Sequence, residues 1–234
     1  MSRTSTPGES SIDAAAADLA GRLRAHWPIK LGMLVGLTAL FCGPYIVLAH
    51  HSFFPVRELP LTPLDRAIAF DARWTTVYQS VYLITGTLPW LARTRAQLTT
   101  YLVGFALLSA ACFVFFIFLP TAAPRPAMAE PEGMYRLLLL YDGPYNAFPS
   151  LHAGFLYYTL AFAWRVYGIP RKPPASLVIV FAIWAGLILW STLATKEHYA
   201  IDLPAGIALA AVCDAAAWSN RLRSVVEKSA GGSR

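Results

Sequence analysis

His198 and Asp202 stand four residues apart in the stretch STLATKEHYAID, Ser191 to Asp202. On a helix that spacing places both side chains on one face, where a carboxylate can hold an imidazole in one tautomer. An imidazole held that way is a nucleophile or a base. His152, in YNAFPSLHAG, is a second imidazole, of the kind that protonates a leaving group. Ser150 precedes it by two residues, and Arg125 lies in PTAAPRP. Arginine, a serine hydroxyl and the free amides at helix starts hold phosphate oxygens. The set therefore fits cleavage of a phosphate ester through a phosphohistidine. No acidic cluster calls for Mg²⁺ or Zn²⁺, so the expected route uses no metal and no other cofactor. Acyl transfer from Ser150 or Ser191 is a weaker alternative, because the chain has no Gly-x-Ser-x-Gly elbow.

Each of these residues also has a plainer reading. A histidine at a membrane surface is often only a polar helix end, and for His198 alone that reading would win. Asp202 changes the balance. It sits in the apolar run IDLPAG, where a carboxylate needs a partner, and His198 is the nearest one. His26, His50 and His51 have no such company and read as interfacial polar residues.

The elements that must position this set are apolar. The chain has 234 residues, 56% hydrophobic and 14% charged, with a mean hydropathy of +0.49. Soluble domains carry about 25% charged residues. The apolar residues fall in six blocks: Leu31–Ala49, Trp74–Leu91, Leu98–Leu119, Ala153–Tyr167, Ser176–Leu193 and Tyr199–Trp218. Each approaches the ~17–25 residues of a spanning helix. The expected fold is all-α, an integral membrane bundle of six transmembrane helices. Residues 29–219 form that domain. Residues 1–28 are a cytoplasmic segment that could lie on the membrane as an amphipathic helix, and 220–234 are a cytoplasmic tail.

Thirteen of the nineteen Lys and Arg residues fall on the side holding both termini and the two short connections, ARTRAQ and GIPRKPPA. By the positive-inside rule that side is cytoplasmic. The stretches carrying His152 and His198 then share the outer face, and the active site is expected at the outer membrane–water interface of a bacterial inner membrane. The net charge of +6 follows from this asymmetry and from anionic lipid, so no nucleic-acid partner is needed. Cys42, Cys112 and Cys213 all lie inside apolar blocks and read as packing residues.

Two motifs carry a resemblance. PSLH, Pro149 to His152, and S-x6-H-x3-D, with Ser191, His198 and Asp202, resemble the second and third motifs of the type-2 phosphatidic acid phosphatase superfamily. The wording FPSLHAG with STLATKEHYAIDLPAG looks closest to the branch near inositol phosphorylceramide synthases. The resemblance spans about residues 98–218. It implies that His198 attacks phosphorus, Asp202 orients it, His152 protonates the leaving alcohol, and Ser150 and the amides of the fourth helix bind phosphate. Arg125, followed by Pro126, matches the arginine of the first motif. Three positions depart from the pattern: Phe118 where the first motif has lysine, Leu151 where the second has glycine, and Thr192 where the third has arginine. Lys196 or Arg136 would have to supply the missing cationic clamps, and Lys196 is equally readable as an interfacial anchor.

The reading is a membrane lipid phosphatase acting on a lipid phosphomonoester or diphosphate. A phosphotransferase of the inositol phosphorylceramide synthase kind would use the same catalytic set. Asp142, Tyr145 and Asn146, in the long connection after the third block, are candidates to contact the substrate. A small transporter is the alternative of another class. It is disfavoured because the sequence has neither an inverted repeat nor a second intramembrane charge cluster.

Overall fold

The computed structural model describes residues 7–126 and 131–219. The tail at 220–234, part of the long connection, and Arg221, expected to pair with Asp214, lie outside the described residues.

The described residues are mostly helical, and three helices are long and apolar enough to cross a membrane: Trp27–His50, Arg95–Phe118 and Ala175–Ala194. In chain order the helices are α1 (Pro7–Arg24), α2 (Trp27–His50), α3 (Pro63–Ala67), α4 (Thr75–Gln79), α5 (Val81–Thr87), α6 (Arg95–Phe118), α7 (Gly133–Tyr141), α8 (Leu151–Ala163), α9 (Ile169–Arg171), α10 (Ala175–Ala194) and α11 (Asp202–Ala217). The second apolar block is interrupted. It folds as α4 and α5, offset at Ser80, and ends in a 3-10 turn over Leu88–Leu91 that contains Pro89. The fourth block is α8 continued by a π-helical segment, Trp164–Gly168, into α9. Local signals set the starts. Thr94 and Gln97 form a capping box that begins α6 three residues ahead of the expected Leu98.

Outward faces are apolar and uncovered: Val35, Leu40, Val114, Val180 and Ile183 are all exposed. An uncovered apolar belt of this kind is stable against lipid and not against water. The inward faces build the core. Tyr101, Leu108, Phe116, Tyr158 and Phe162 are all buried there, between α6 and α8.

Two contacts set the site. The first is the close crossing of α8 and α11. A Cβ on Gly206 would stand 2.0 Å from the Ser150 carbonyl oxygen, so only glycine permits the approach. The Ser150 amide donates to the Asp202 carbonyl at 3.2 Å, which ties the two helix starts together. The second is a small plug of loops. Strands β1 (Arg57–Glu58) and β2 (Thr121–Ala122) pair in parallel, and Thr121 also bridges to Asn146.

Candidate functional site

His198 does not lie on a regular helix. It sits in the turn between α10 and α11, and Asp202 is the first residue of α11. The expected shared helical face is therefore replaced by a capping turn. Asp202 Oδ2 accepts from the Tyr199 amide at 3.1 Å and stands 3.3 Å from His198 Nδ1. The Ala147 carbonyl, held by the plug, also approaches Nδ1, at 3.2 Å. Two acceptors on Nδ1 assign the proton there and leave the Nε2 lone pair for chemistry. Burial alone would push the His198 imidazole down. Asp202 beside it, with Asp142 and Glu197 behind, holds it above the ordinary range.

The turn owes its shape to Lys196, whose φ of 59° is left-handed, a conformation a long side chain adopts at a cost. The Lys196 ammonium donates to the carbonyls of Asp65 at 2.8 Å and Ile68 at 2.6 Å. Asp65 Oδ1 accepts from the Ala200 amide at 2.8 Å, and its Oδ2 closes a capping box with Thr62. The α3 corner thus buttresses the histidine turn from below. In this geometry Lys196 is committed to backbone carbonyls and fixes the turn. Asp65 went unnoticed in the sequence, where Thr62-x-x-Asp65 was its only trace.

His152, in the first turn of α8, faces His198 with ring centroids 5.6 Å apart. Its Nδ1 is 3.1 Å from the Tyr78 hydroxyl, and its buried Nε2 has no hydrogen-bond partner among the described residues. Ser150 caps α8 by accepting from the Ala153 amide at 3.2 Å, which leaves its hydroxyl proton free to donate. The amides of Leu151 and His152 belong to the first helical turn and have no partner within α8.

Arg125 reaches the same place. It donates to the carbonyls of Asp142 at 3.0 Å and Gly143 at 3.2 Å, and it pairs with Glu197. Its Nε and the Glu197 Oε1 have no partner among the described residues. Burial pushes the Glu197 carboxyl up, to about 8, against the downward pull of Arg125. Sequence reasoning missed Glu197. Its signal was a second acid directly before His198, in the polar interruption between two apolar blocks.

The other sequence candidates fall at different depths. Ser191 is fully buried and donates to the Ile188 carbonyl at 2.7 Å. Thr192, at the position of the missing arginine, donates to Leu189 at 2.8 Å. Arg136 is exposed on α7. Asp142 is buried and accepts from the hydroxyls of Tyr45 and Tyr78, both at 2.8 Å. Tyr145 and Asn146 hold the plug through their backbone: Thr121 N donates to the Tyr145 carbonyl at 3.3 Å, and Asn146 forms the bridge to Thr121. Asp214 pairs with Arg165 at 2.5 Å. Among the described residues no group of three or more His, Cys, Asp or Glu is placed to hold a metal ion.

An apolar cavity of about 390 Å³ runs between α2, α5, α6 and α8, from Lys30 at one end to Tyr45 and Tyr82 at the other. A smaller one of about 30 Å³ shares Phe41, Tyr45, Tyr82 and Phe155 with it and reaches His152.

The fold and the site define a helical membrane protein whose two facing histidines are each backed by polar groups. The family model described as PAP2 superfamily matches residues 54–216, and the chain belongs to that superfamily. Membership points to a phosphatase-type enzyme, a phosphatase or a phosphotransferase. Neither the curated proteins nor the solved structures compared with the chain match it.

Proposed function

We propose that the protein is a membrane lipid phosphatase working through a phosphohistidine on His198. The observation that carries this is the facing pair of histidines 5.6 Å apart, with unpartnered polar atoms around them on His152 Nε2 and Arg125 Nε. A phosphate placed there meets a nucleophile on one side and a proton donor on the other. His198 Nε2 attacks phosphorus and the N–P bond forms. The P–O bond to the alcohol breaks, and the leaving oxygen takes the proton from His152. Water then attacks the phosphohistidine and loses a proton to His152. The N–P bond breaks and phosphate departs. Ser150, the first amides of α8 and Arg125 hold the phosphate oxygens.

The lipid character of the substrate rests on the larger cavity, which is lined mostly by apolar side chains, has the size of a pocket for a small ligand and is joined to His152 through residues shared with the smaller one. The topology proposed is six spans, with α4–α5 as the second and α8–α9 as the fourth. Both termini are cytoplasmic, and the site lies at the outer interface of a bacterial inner membrane.

Transfer of the phosphoryl group to a lipid or polyol hydroxyl, as in the inositol phosphorylceramide synthase branch, is the second reading. Thr192 and the committed Lys196 favour it, because they leave fewer cations for a free phosphate. The test is phosphate release by purified protein in detergent from a panel of lipid phosphates and diphosphates, with and without alcohol acceptors, beside His198→Ala. Release without an acceptor, lost in the variant, supports hydrolysis. A headgroup product formed only with an acceptor supports transfer. Full activity in His198→Ala overturns both, and loss of activity in EDTA overturns the metal-free route.

A further inference from the structure

We infer that Asp142 and Tyr78 form a proton-positioning relay that fixes the tautomer of His152. The inference rests on the phosphohistidine reading and assigns two residues to which that reading gives no role. Asp142 Oδ2 accepts the Tyr78 hydroxyl at 2.8 Å, and a phenol has only one proton to give. The 3.1 Å contact between the Tyr78 oxygen and His152 Nδ1 is then a bond in which Nδ1–H donates. The proton of the neutral ring sits on Nδ1. Nε2, the atom without a partner, holds the lone pair or the second proton that the leaving oxygen receives.

The surroundings hold this order. Tyr78 is fully buried, and its ring lies 4.1 Å from the imidazole. Tyr45, from α2, donates to the other oxygen of Asp142 at 2.8 Å, and Tyr82 packs edge-on against His152 at 5.8 Å. Arg125 grips the Asp142 carbonyl, so the phosphate clamp and the relay share one anchor. Each histidine is thus backed by a carboxylate, His198 directly through Asp202 and His152 through an intervening phenol. The phenol spaces the Asp142 charge away from the ring while passing on its hydrogen-bond direction. Asp142 and Tyr78 act through His152 and are positioning residues.

The test compares Tyr78→Phe with wild type on two phosphates, one with an alkanol leaving group (dodecyl phosphate) and one with a nitrophenolate (p-nitrophenyl phosphate). The alkoxide needs the proton, and the nitrophenolate does not. Tyr78→Phe should lower kcat on dodecyl phosphate roughly 10- to 100-fold, with KM unchanged, and lower it less than threefold on p-nitrophenyl phosphate. In a His152→Ala background it should cost nothing further. A merely structural role would lower both substrates alike, and that result overturns the relay. A second readout needs no turnover: in ¹⁵N-histidine-labelled protein without substrate, His152 should show a protonated Nδ1 and an unprotonated Nε2, the Nε2 proton being delivered by the phosphate monoanion that binds. The preference should be lost in Tyr78→Phe and, where that variant accumulates poorly, in Asp142→Asn. A wild-type ring protonated on Nε2 alone refutes the relay. Wild-type protein that cleaves neither phosphate while keeping the Nδ1–H signature overturns the phosphatase reading and leaves the relay standing.

Discussion

Glu197 pairs with Arg125, the cation proposed to hold the substrate phosphate, and the physical consequence of that proposal is competition for Arg125. Because burial holds its carboxyl up, near 8, Glu197 is neutral at lower pH and grips Arg125 as an anion only above that range. Inhibition by inorganic phosphate should therefore weaken as pH rises through about 8. Glu197→Gln should remove this dependence and tighten inhibition at pH 9 by about threefold to tenfold, a gain on the order of 1 kcal/mol; an unchanged profile in the variant would rule the competition out. His198 has the opposite sign. Its raised value keeps the imidazole charged to higher pH, and a charged imidazole cannot attack. The acid limb of the pH–rate profile should then lie above the ordinary imidazole range of about 6.5. Asp202→Asn should shift that limb downward while lowering kcat by roughly two to four orders of magnitude. Asp202 was legible in the sequence because an acid in an apolar run demands a partner. Glu197 stands between Lys196 and His198, its partner Arg125 is 72 residues away, and no local spacing announces it.

At the scale of elements, glycines and corners decide whether the residues meet. Gly206→Ala pushes a methyl group into the Ser150 carbonyl. Overpacking of this kind costs about 1–3 kcal/mol, and here the displaced atom accepts the Gly154 amide in the first turn of the helix that carries His152. The variant should lose both thermal stability and kcat; a normal kcat at lowered Tm would show that the crossing of α8 and α11 has slack. On the opposite end of the bundle, Asp18 on α1 pairs with Arg22 at 2.8 Å, with Arg93 at 3.1 Å and with Arg171 at 2.5 Å. Buried Arg22 also donates to the carbonyls of Leu91 and Val166, which the 3-10 and π-helical turns leave open. Asp18→Ala should lower the Tm in detergent and leave the kcat of the folded protein unchanged, because none of these groups touches the histidines. The sequence suggests only an amphipathic helix within residues 1–28 that could lie on the membrane. Its latching role depends on Arg93 and Arg171, from separate connections, which only folding brings to Asp18.

The whole molecule offers an apolar belt to lipid, a polar plug at one end and a basic end opposite. That arrangement predicts sidedness. In intact cells or right-side-out vesicles, a cysteine at Arg57→Cys, beside the plug, should react with a membrane-impermeant maleimide. One at Arg93→Cys should react only after permeabilisation. The native Cys42, Cys112 and Cys213 are replaced first. Labelling of both sites from one side would refute the proposed topology. The apolar cavity leads from this polar end inward, so a substrate with its phosphate at the histidines would hold its chain among the helices.

The sequence alone determined the membrane class and the order of the apolar blocks, and it singled out His152, His198 and Asp202 as candidates. Hydrophobic block length and short-range motif spacing are local properties that need no fold to be read. Only the tertiary structure decided that His198 sits in a turn braced by Asp65 and Lys196, that Arg125 meets Glu197, and that Asp142 lies behind Tyr78. These are contacts between residues 64 to 131 positions apart in the chain. Burial forces each polar group there to find a partner, and which partner it finds is set by how the helices cross.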